Sequence, residues 1–259
     1  MSDSKRIDEV EQYYQPVSKL DSSTTVLFWA VAIISLLIPY ANELDTIAKN
    51  ILTATFIVLV FIHFIISEIL RFYYIPRAEQ ARRKQLLTDA FGTPLSHDKT
   101  SLYYNNAYSP SLKRLAANIM ENAYFSKAVA SKMLVKRRII IGIYLSALIF
   151  IFALRHDNLN VLIWITQIVF SSEILAAWIK LEVLRNSHEN VYDNLHTHFL
   201  NEFDESTSVA IANILNNFVN YESAKSASRV KLSSKIFHDL NPQLTKDWKK
   251  IRSELNMDE

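Results

Sequence analysis

Four long apolar runs organise the chain, and they come in two pairs separated by polar sequence. Ser22 to Asn42 carries no charge, and Asn50 to Ser67 is the second uncharged run. The third lies between Arg138 and Arg155, and the fourth starts near Asn158 and reaches Ile179 with Glu173 inside it. At 1.5 Å per residue, runs of this kind cross a hydrocarbon layer of about 30 Å. The third is short, roughly 24 Å, but arginine stems at its ends can snorkel and lengthen it. The pattern predicts an all-α integral membrane protein of two transmembrane helical hairpins with helical cytoplasmic extensions.

The predicted divisions are an N-terminal segment 1–21, hairpin one at 22–75, a helical loop region at 76–138, hairpin two at 139–179 and C-terminal helices at 180–259. Span two is expected to continue as a helix from Arg77 to Ala90, until Gly92 and Pro94 break it. A tyrosine-rich loop follows, and a helix from about Ser111 feeds span three. Beyond span four, Val191, Leu195, Phe199 and Phe203 form one ridge at four-residue steps. Ile211, Ile214, Leu215 and Phe218 mark another helix. Asn241-Pro242 reads as an N-cap and first turn opening a last helix, striped by Leu244, Trp248, Ile251 and Leu255. Span two ends Ser67-Glu68-Ile69-Leu70 and span four Ser172-Glu173-Ile174-Leu175, so the hairpins read either as a repeat or as a chance match of apolar helices.

Charge adds an orientation. Arg71, Arg77, Arg82, Arg83, Lys84, Lys132, Lys136, Arg137, Arg138, Lys180 and Arg185 flank the runs on one side, as does Lys19, against Lys49 and Arg155 on the other. The positive-inside rule then places both termini and the central loop of a multi-pass protein in the cytoplasm. Composition excludes several chemistries. The 259 residues include no cysteine and only Gly92 and Gly142. Disulfides, thiolate nucleophiles and glycine-rich phosphate loops are therefore ruled out. A net charge of +2 gives no footprint for a nucleic-acid polymer. No catalytic constellation, resident cofactor or metal is expected.

The candidate functional residues fall into two sets. Within the runs, Glu68, His63, Gln167 and Glu173 are polar groups in an expensive place. Glu68 has Arg71 one turn away, whereas Glu173 has Ala176 and Ala177 there. Glu173 reads either as a carboxylate facing a pore mouth or as one reaching the headgroups. His63 and Gln167 read as interhelical hydrogen-bonders or as parts of a proton or ion path. In the loop, Tyr103, Tyr104, Asn105, Asn106 and Tyr108 precede Lys113 and Arg114. Such residues can stack on a base, read its edges and meet phosphate, or they can pack onto their own helices. His188, His196 and His198 lie among acids, as exposed helices often place them, and the stripe of Lys246, Lys249, Lys250 and Arg252 suits anionic lipid, a partner or plain solvent.

The stretch Glu121-Asn122-Ala123-Tyr124-Phe125-Ser126-Lys127, reaching Lys136-Arg137-Arg138, and the stretch Leu86-Leu87-Thr88-Asp89-Ala90-Phe91-Gly92 stand where a known family has recurring segments. In layout, residues 20 to 185 resemble the SMODS-associated four-transmembrane effectors of bacterial anti-phage (CBASS-like) systems. Glu-Asn and Tyr-Phe stand where that family carries tryptophan and a Gln-Arg pattern. The resemblance implies a non-enzymatic, pore-forming or membrane-disrupting effector acting as a homo-oligomer in the bilayer. A cyclic oligonucleotide or its synthase is then the implied partner. The competing expectations are a membrane anchor or scaffold for a cytoplasmic partner and a small ion channel.

Overall fold

The computed structural model describes residues 7–38, 45–153, 173–201 and 206–257. Those residues are nearly all helical. In chain order they form β1 (Ile7–Asp8), α1 (Tyr14–Leu37), α2 (Thr46–Ile69), α3 (Ile75–Phe91), β2 (Thr100–Ser101), α4 (Leu112–Ala153), α5 (Glu173–Leu200), α6 (Ser208–Ser228) and α7 (Ser234–Glu254). A 3₁₀ turn, Glu9–Tyr13, leads into α1. Two stretches, Glu9–Ser35 and Thr46–Phe91, are long and apolar enough to cross a membrane. Gln167 and the core of the fourth run lie outside the described residues.

The chain divides into two compact units. One gathers the described parts of 11–78 and 144–173 and contains the apolar helices. In it α1 packs along α2, and Val17, Leu70 and Ala78 form a small core with Tyr13, Tyr14 and Tyr74 beside it. Asp45 starts α2 by accepting a hydrogen bond from Ala48 N at 2.6 Å, which satisfies a free N–H of the first turn. A π-helical turn, Leu70–Tyr74, then joins α2 to α3. Pro76 has no N–H to offer the Phe72 carbonyl, and the wider turn re-routes the ladder so that Ile75 N–H bonds Leu70 O. The expected continuation of span two therefore exists, and it runs past Pro76 rather than stopping there.

The other unit takes the described parts of 1–10, 79–143 and 174–259. Its core joins Leu86 and Ala90 of α3, Leu115, Ile119 and Met120 of α4, and Leu195 of α5 to Ile214 of α6 and Trp248 of α7. A second small core sets Ala130 and Leu134 of α4 against Leu181 of α5. α3 stops where it should. Gly92 has φ +66°, and a Cβ there would meet the Pro110 ring at 3.1 Å. Ser111 opens α4, its hydroxyl accepting from Arg114 N at 3.2 Å.

Two expectations need correction. The last helix starts at Ser234, not after Asn241. Ser233 is its N-cap, accepting from Ile236 N at 3.3 Å, and Pro242 lies inside the helix. The Leu244, Trp248 and Leu255 stripe is nevertheless the buried one. Beyond Leu255, Met257 N bonds Arg252 O at 2.9 Å and Asn256 N bonds Ser253 O at 3.3 Å, a Schellman ending that tucks Met257 into the core. The second correction is a short antiparallel ladder that helical periodicity did not suggest. Ile7 pairs with Ser101 and Asp8 with Thr100.

Candidate functional site

Among the polar groups of the apolar runs, His63 sits on α2 with its ring 6.4 Å from Phe28 of α1. Glu68 has the partner expected for it, Arg71, at 4.0 Å, the outer limit of an ion pair. Glu173 is the first residue of α5, and its side chain lies outside the described atoms.

The tyrosine-rich loop is bonded inward. Asn105 donates to Glu121 from both its backbone N, at 3.1 Å, and its side-chain amide. Asn106 donates to Asn118 Oδ1 at 2.6 Å, and Asn118 in turn donates to Asp89 at 2.8 Å. The Tyr104 hydroxyl accepts from Asn122 at 3.1 Å, and burial holds its pKa well above the usual phenol value. Arg114 grips Asp89 with two hydrogen bonds, at 3.1 and 2.9 Å, and donates a third to the Tyr108 carbonyl. Lys113 stands over the Tyr108 ring at 4.7 Å. The loop is thus sewn onto α3 and α4 by the groups that a ligand would otherwise use. Gripping a nucleotide would require exchanging these bonds for new ones.

A further network was hidden in the sequence by its spacing. Glu222 of α6 accepts from Arg83 of α3 at 2.8 Å and from Lys225 at 2.9 Å, with only 8% of its side chain exposed. Glu79 of α3 is also buried, and desolvation raises its pKa against the opposing pull of Lys225. Lys225 lies 5.0 Å from the Tyr221 ring centroid, and the His188 ring of α5 stacks 5.1 Å from the same ring. His188 is 1% exposed with no hydrogen bond to Nδ1, and burial lowers its pKa to about 3, helped by Lys225. Next to this group, Arg82 holds Asp8 of β1 with two 3.0 Å bonds and lies 4.5 Å from the Tyr103 ring. Sequence alone made Arg82 and Arg83 topology markers; in the fold both have acidic partners, Arg82 largely buried and Arg83 at the edge of the packed unit. The available signal was Glu79 four residues before Arg83 and Glu222 three before Lys225, which put opposite charges on one helix face.

Helix α5 also carries an aromatic row. Tyr124 of α4 lies between Trp248 of α7, at 5.8 Å, and Tyr192 of α5, at 5.5 Å. His196 lies 5.6 Å beyond Tyr192. His188, His196 and His198 thus have different surroundings, and no group of three metal-binding side chains comes together among the described residues. Comparison with models of known families, with curated proteins and with solved structures finds no match to this chain.

Proposed function

We propose that this chain is a four-span inner-membrane effector whose helical cytoplasmic unit controls a leak. The observation that carries the reading is how the ends of each apolar run meet. β1 precedes α1 and pairs with β2, which follows α3, so α1 and α2 leave from and return to one place. The second half repeats this. Arg138, just before the third run, makes two bonds to Glu182, just after the fourth, at 2.7 and 2.9 Å. If the runs span a bilayer, an even number of crossings lies between each pair of contacts, which makes two hairpins. The charge asymmetry puts those contacts in the cytoplasm.

Control by the cytoplasmic unit rests on helical continuity. α4 runs unbroken from core residues such as Ile119 to exposed apolar residues such as Ile149. α3 is joined to α2 through the π-turn. A change in the packed unit therefore has continuous helices along which to reach the apolar ones. The segments that resemble the anti-phage effectors are central to that unit. Asp89 and Glu121 fasten the loop, and Phe125 is in the core. A cyclic oligonucleotide, or the enzyme that makes it, would act by breaking this fastening, without any chemistry by the chain itself.

Two measurements test the reading. Cysteines introduced at Ser101 and Ser253 of this cysteine-free chain should label only from the cytoplasm, and those at Asn42 and Asn158 only from outside. Labelling of Ser101 from outside overturns the four-span arrangement. Expression in cells should collapse the membrane potential and arrest growth, and Glu173→Leu should weaken the leak at equal membrane abundance. Correct labelling without depolarisation would leave a membrane scaffold.

A further inference from the structure

Cations crowd one short stretch of the packed unit. From Asn122 to Ala153 helix α4 has no acidic residue, yet it carries Lys127, Lys132, Lys136, Arg137 and Arg138. Two of these reach α5: Lys127 lies 4.0 Å from Glu189, and Arg138 is bonded to Glu182. The contacts run in opposite order along the two helices, so α4 and α5 lie antiparallel here, with Leu134 packed against Leu181. Lys132, Lys136 and Arg137, with Lys180 of α5, therefore fall within about two turns of the Arg138–Glu182 bond. The first three are exposed and Lys180 is half-buried, and none of the four has an acidic partner among the described residues. The nearby acids are already engaged, Glu182 by Arg138 and Trp178, and Glu189 by Arg185 and Lys127. Apolar surface begins at once. Ile139 is 58% and Ile143 65% exposed, and Ile179, beside Lys180, is 48% exposed. The cations that follow α2 differ, since Arg71 reaches Glu68 and Arg77 donates to the Tyr73 hydroxyl at 2.8 Å.

We infer that this collar of four cations selects anionic phospholipids, binding their phosphates where α4 and α5 enter the cytoplasmic leaflet. The inference rests on the four-span reading, because α4 must enter a bilayer for the collar to meet a headgroup. The occupant follows from what lies on either side of one level. Anionic headgroups supply the charge that the four cations lack, and the attached acyl chains cover the isoleucines within the next turns. An acidic peptide or a free phosphate would meet the cations and leave that apolar surface bare. A zwitterionic lipid would cover the apolar surface and leave the charge uncompensated. Lysine and arginine stems can lie along acyl chains while their heads stay at the phosphates. Trp178, whose indole N–H bonds Glu182 at 3.0 Å, is of the residue type that settles at the same boundary. The charge rule that orients spans counts cations whether or not they are paired. Selecting a headgroup needs them free, as these four are.

The test uses the full chain, reconstituted into vesicles of equal phosphatidylglycerol and phosphatidylcholine and re-extracted in mild detergent. Mass spectrometry then counts the lipid that stays bound. The wild type should retain an excess of phosphatidylglycerol. Arg137→Gln should cut that excess by up to roughly fivefold, the worth of one cation near an anionic surface. Adding Lys132→Gln, Lys136→Gln and Lys180→Gln should abolish it, with circular dichroism unchanged because none of the four is in the core. Arg137→Lys should keep the excess, and so should Lys246→Gln with Lys249→Gln and Lys250→Gln on α7. Equal retention of the two lipids by the wild type would overturn the inference. An excess that survives neutralising all four cations, or one lost with the α7 lysines, would overturn it by putting the charge elsewhere. Displacement of the lipid by inorganic phosphate at constant ionic strength would also overturn it, leaving a free-anion site. Cysteine labels as expected for four spans, with no lipid preference, would sink this inference alone. Labelling of Ser101 from outside would sink the four-span reading whatever lipid is retained.

Discussion

Helix α2 is more apolar than the first half of α4, yet α4 is the buried one. From Leu115 to Glu121 every residue of α4 is buried, including Asn118 and Glu121. In α2 no residue is buried, and Ile57, Phe61 and Phe64 are each more than half exposed. Leaving a Val, Ile or Phe in water forgoes about 1.5–3 kcal/mol. A handful of such residues would consume the 5–15 kcal/mol, roughly, that hold an ordinary domain together. The same residue types therefore have two surroundings: the first half of α4 is enclosed by protein, and α2 presents an exposed apolar surface of the kind that suits hydrocarbon.

The contrast can be broken most directly by removing large side chains from each region. Trp248→Ala should cost about 3–5 kcal/mol, since a fully buried ring leaves a cavity in the core. Phe61→Ala should cost less than about 1 kcal/mol in detergent or bilayer, because the ring is 64% exposed and its removal leaves no cavity in protein. Unfolding of the two purified variants, followed by circular dichroism, compares them. Similar losses would mean that α2 is packed in protein after all.

The next effect sharpens what burial does in the packed unit. His188 is held neutral with its pKa lowered to about 3, whereas an unfolded histidine titrates near 6.5. Below pH 6.5 the unfolded chain binds a proton that the folded one refuses. Stability from this group is thus complete above about pH 6.5 and falls by about 1.4 kcal/mol per pH unit on the way down towards pH 3. Glu79, with its raised pKa, acts in the opposite sense, adding stability as pH falls. Comparing Tm of the wild type and His188→Gln between pH 7.5 and 4.5 isolates the histidine. The variant should show the flatter profile, and parallel profiles would contradict the burial.

Arg114→Ala should cost about 2 kcal/mol, since it strips charged hydrogen bonds from Asp89 and one from the Tyr108 carbonyl. Faster proteolysis within the tyrosine-rich loop is the local readout, and an unchanged cleavage rate would show that the loop holds without it. At the small end, Lys250→Ala should move stability by less than about 0.5 kcal/mol, because its 3.7 Å pair with Glu254 is open to solvent. Denaturant midpoints suffice to check it.

Helix identity was legible wherever periodicity and breakers agreed. Gly92 ended α3, and the Val191, Leu195 and Phe199 part of the four-step ridge faced the core, while Phe203 lies outside the described residues. The start of α7 was misread because Asn241-Pro242 is a good local opening, while Ser233 gains the support of a longer packed helix. The ladder was illegible because two residues show no period, and its partners are far apart in sequence. The charged network was missed for a related reason. Arg83 and Glu222 are 139 positions apart, and nothing local distinguishes a cation that will pair with a buried acid from one that marks topology.

That ladder also sets an order of events during synthesis. Ile7 leaves the ribosome about ninety residues before Ser101, a delay of roughly 5–20 s at ordinary elongation rates. Both strands of this polar clasp exist only after α1 and α2 have been made. If those helices span a bilayer, as we propose, a chain whose first helix inserted in the wrong sense would strand β1 on the far side, with Asp8 out of reach of Arg82. Closure of two residue pairs and one bidentate ion pair is then a late proofreading step, sensitive to an error made many seconds before.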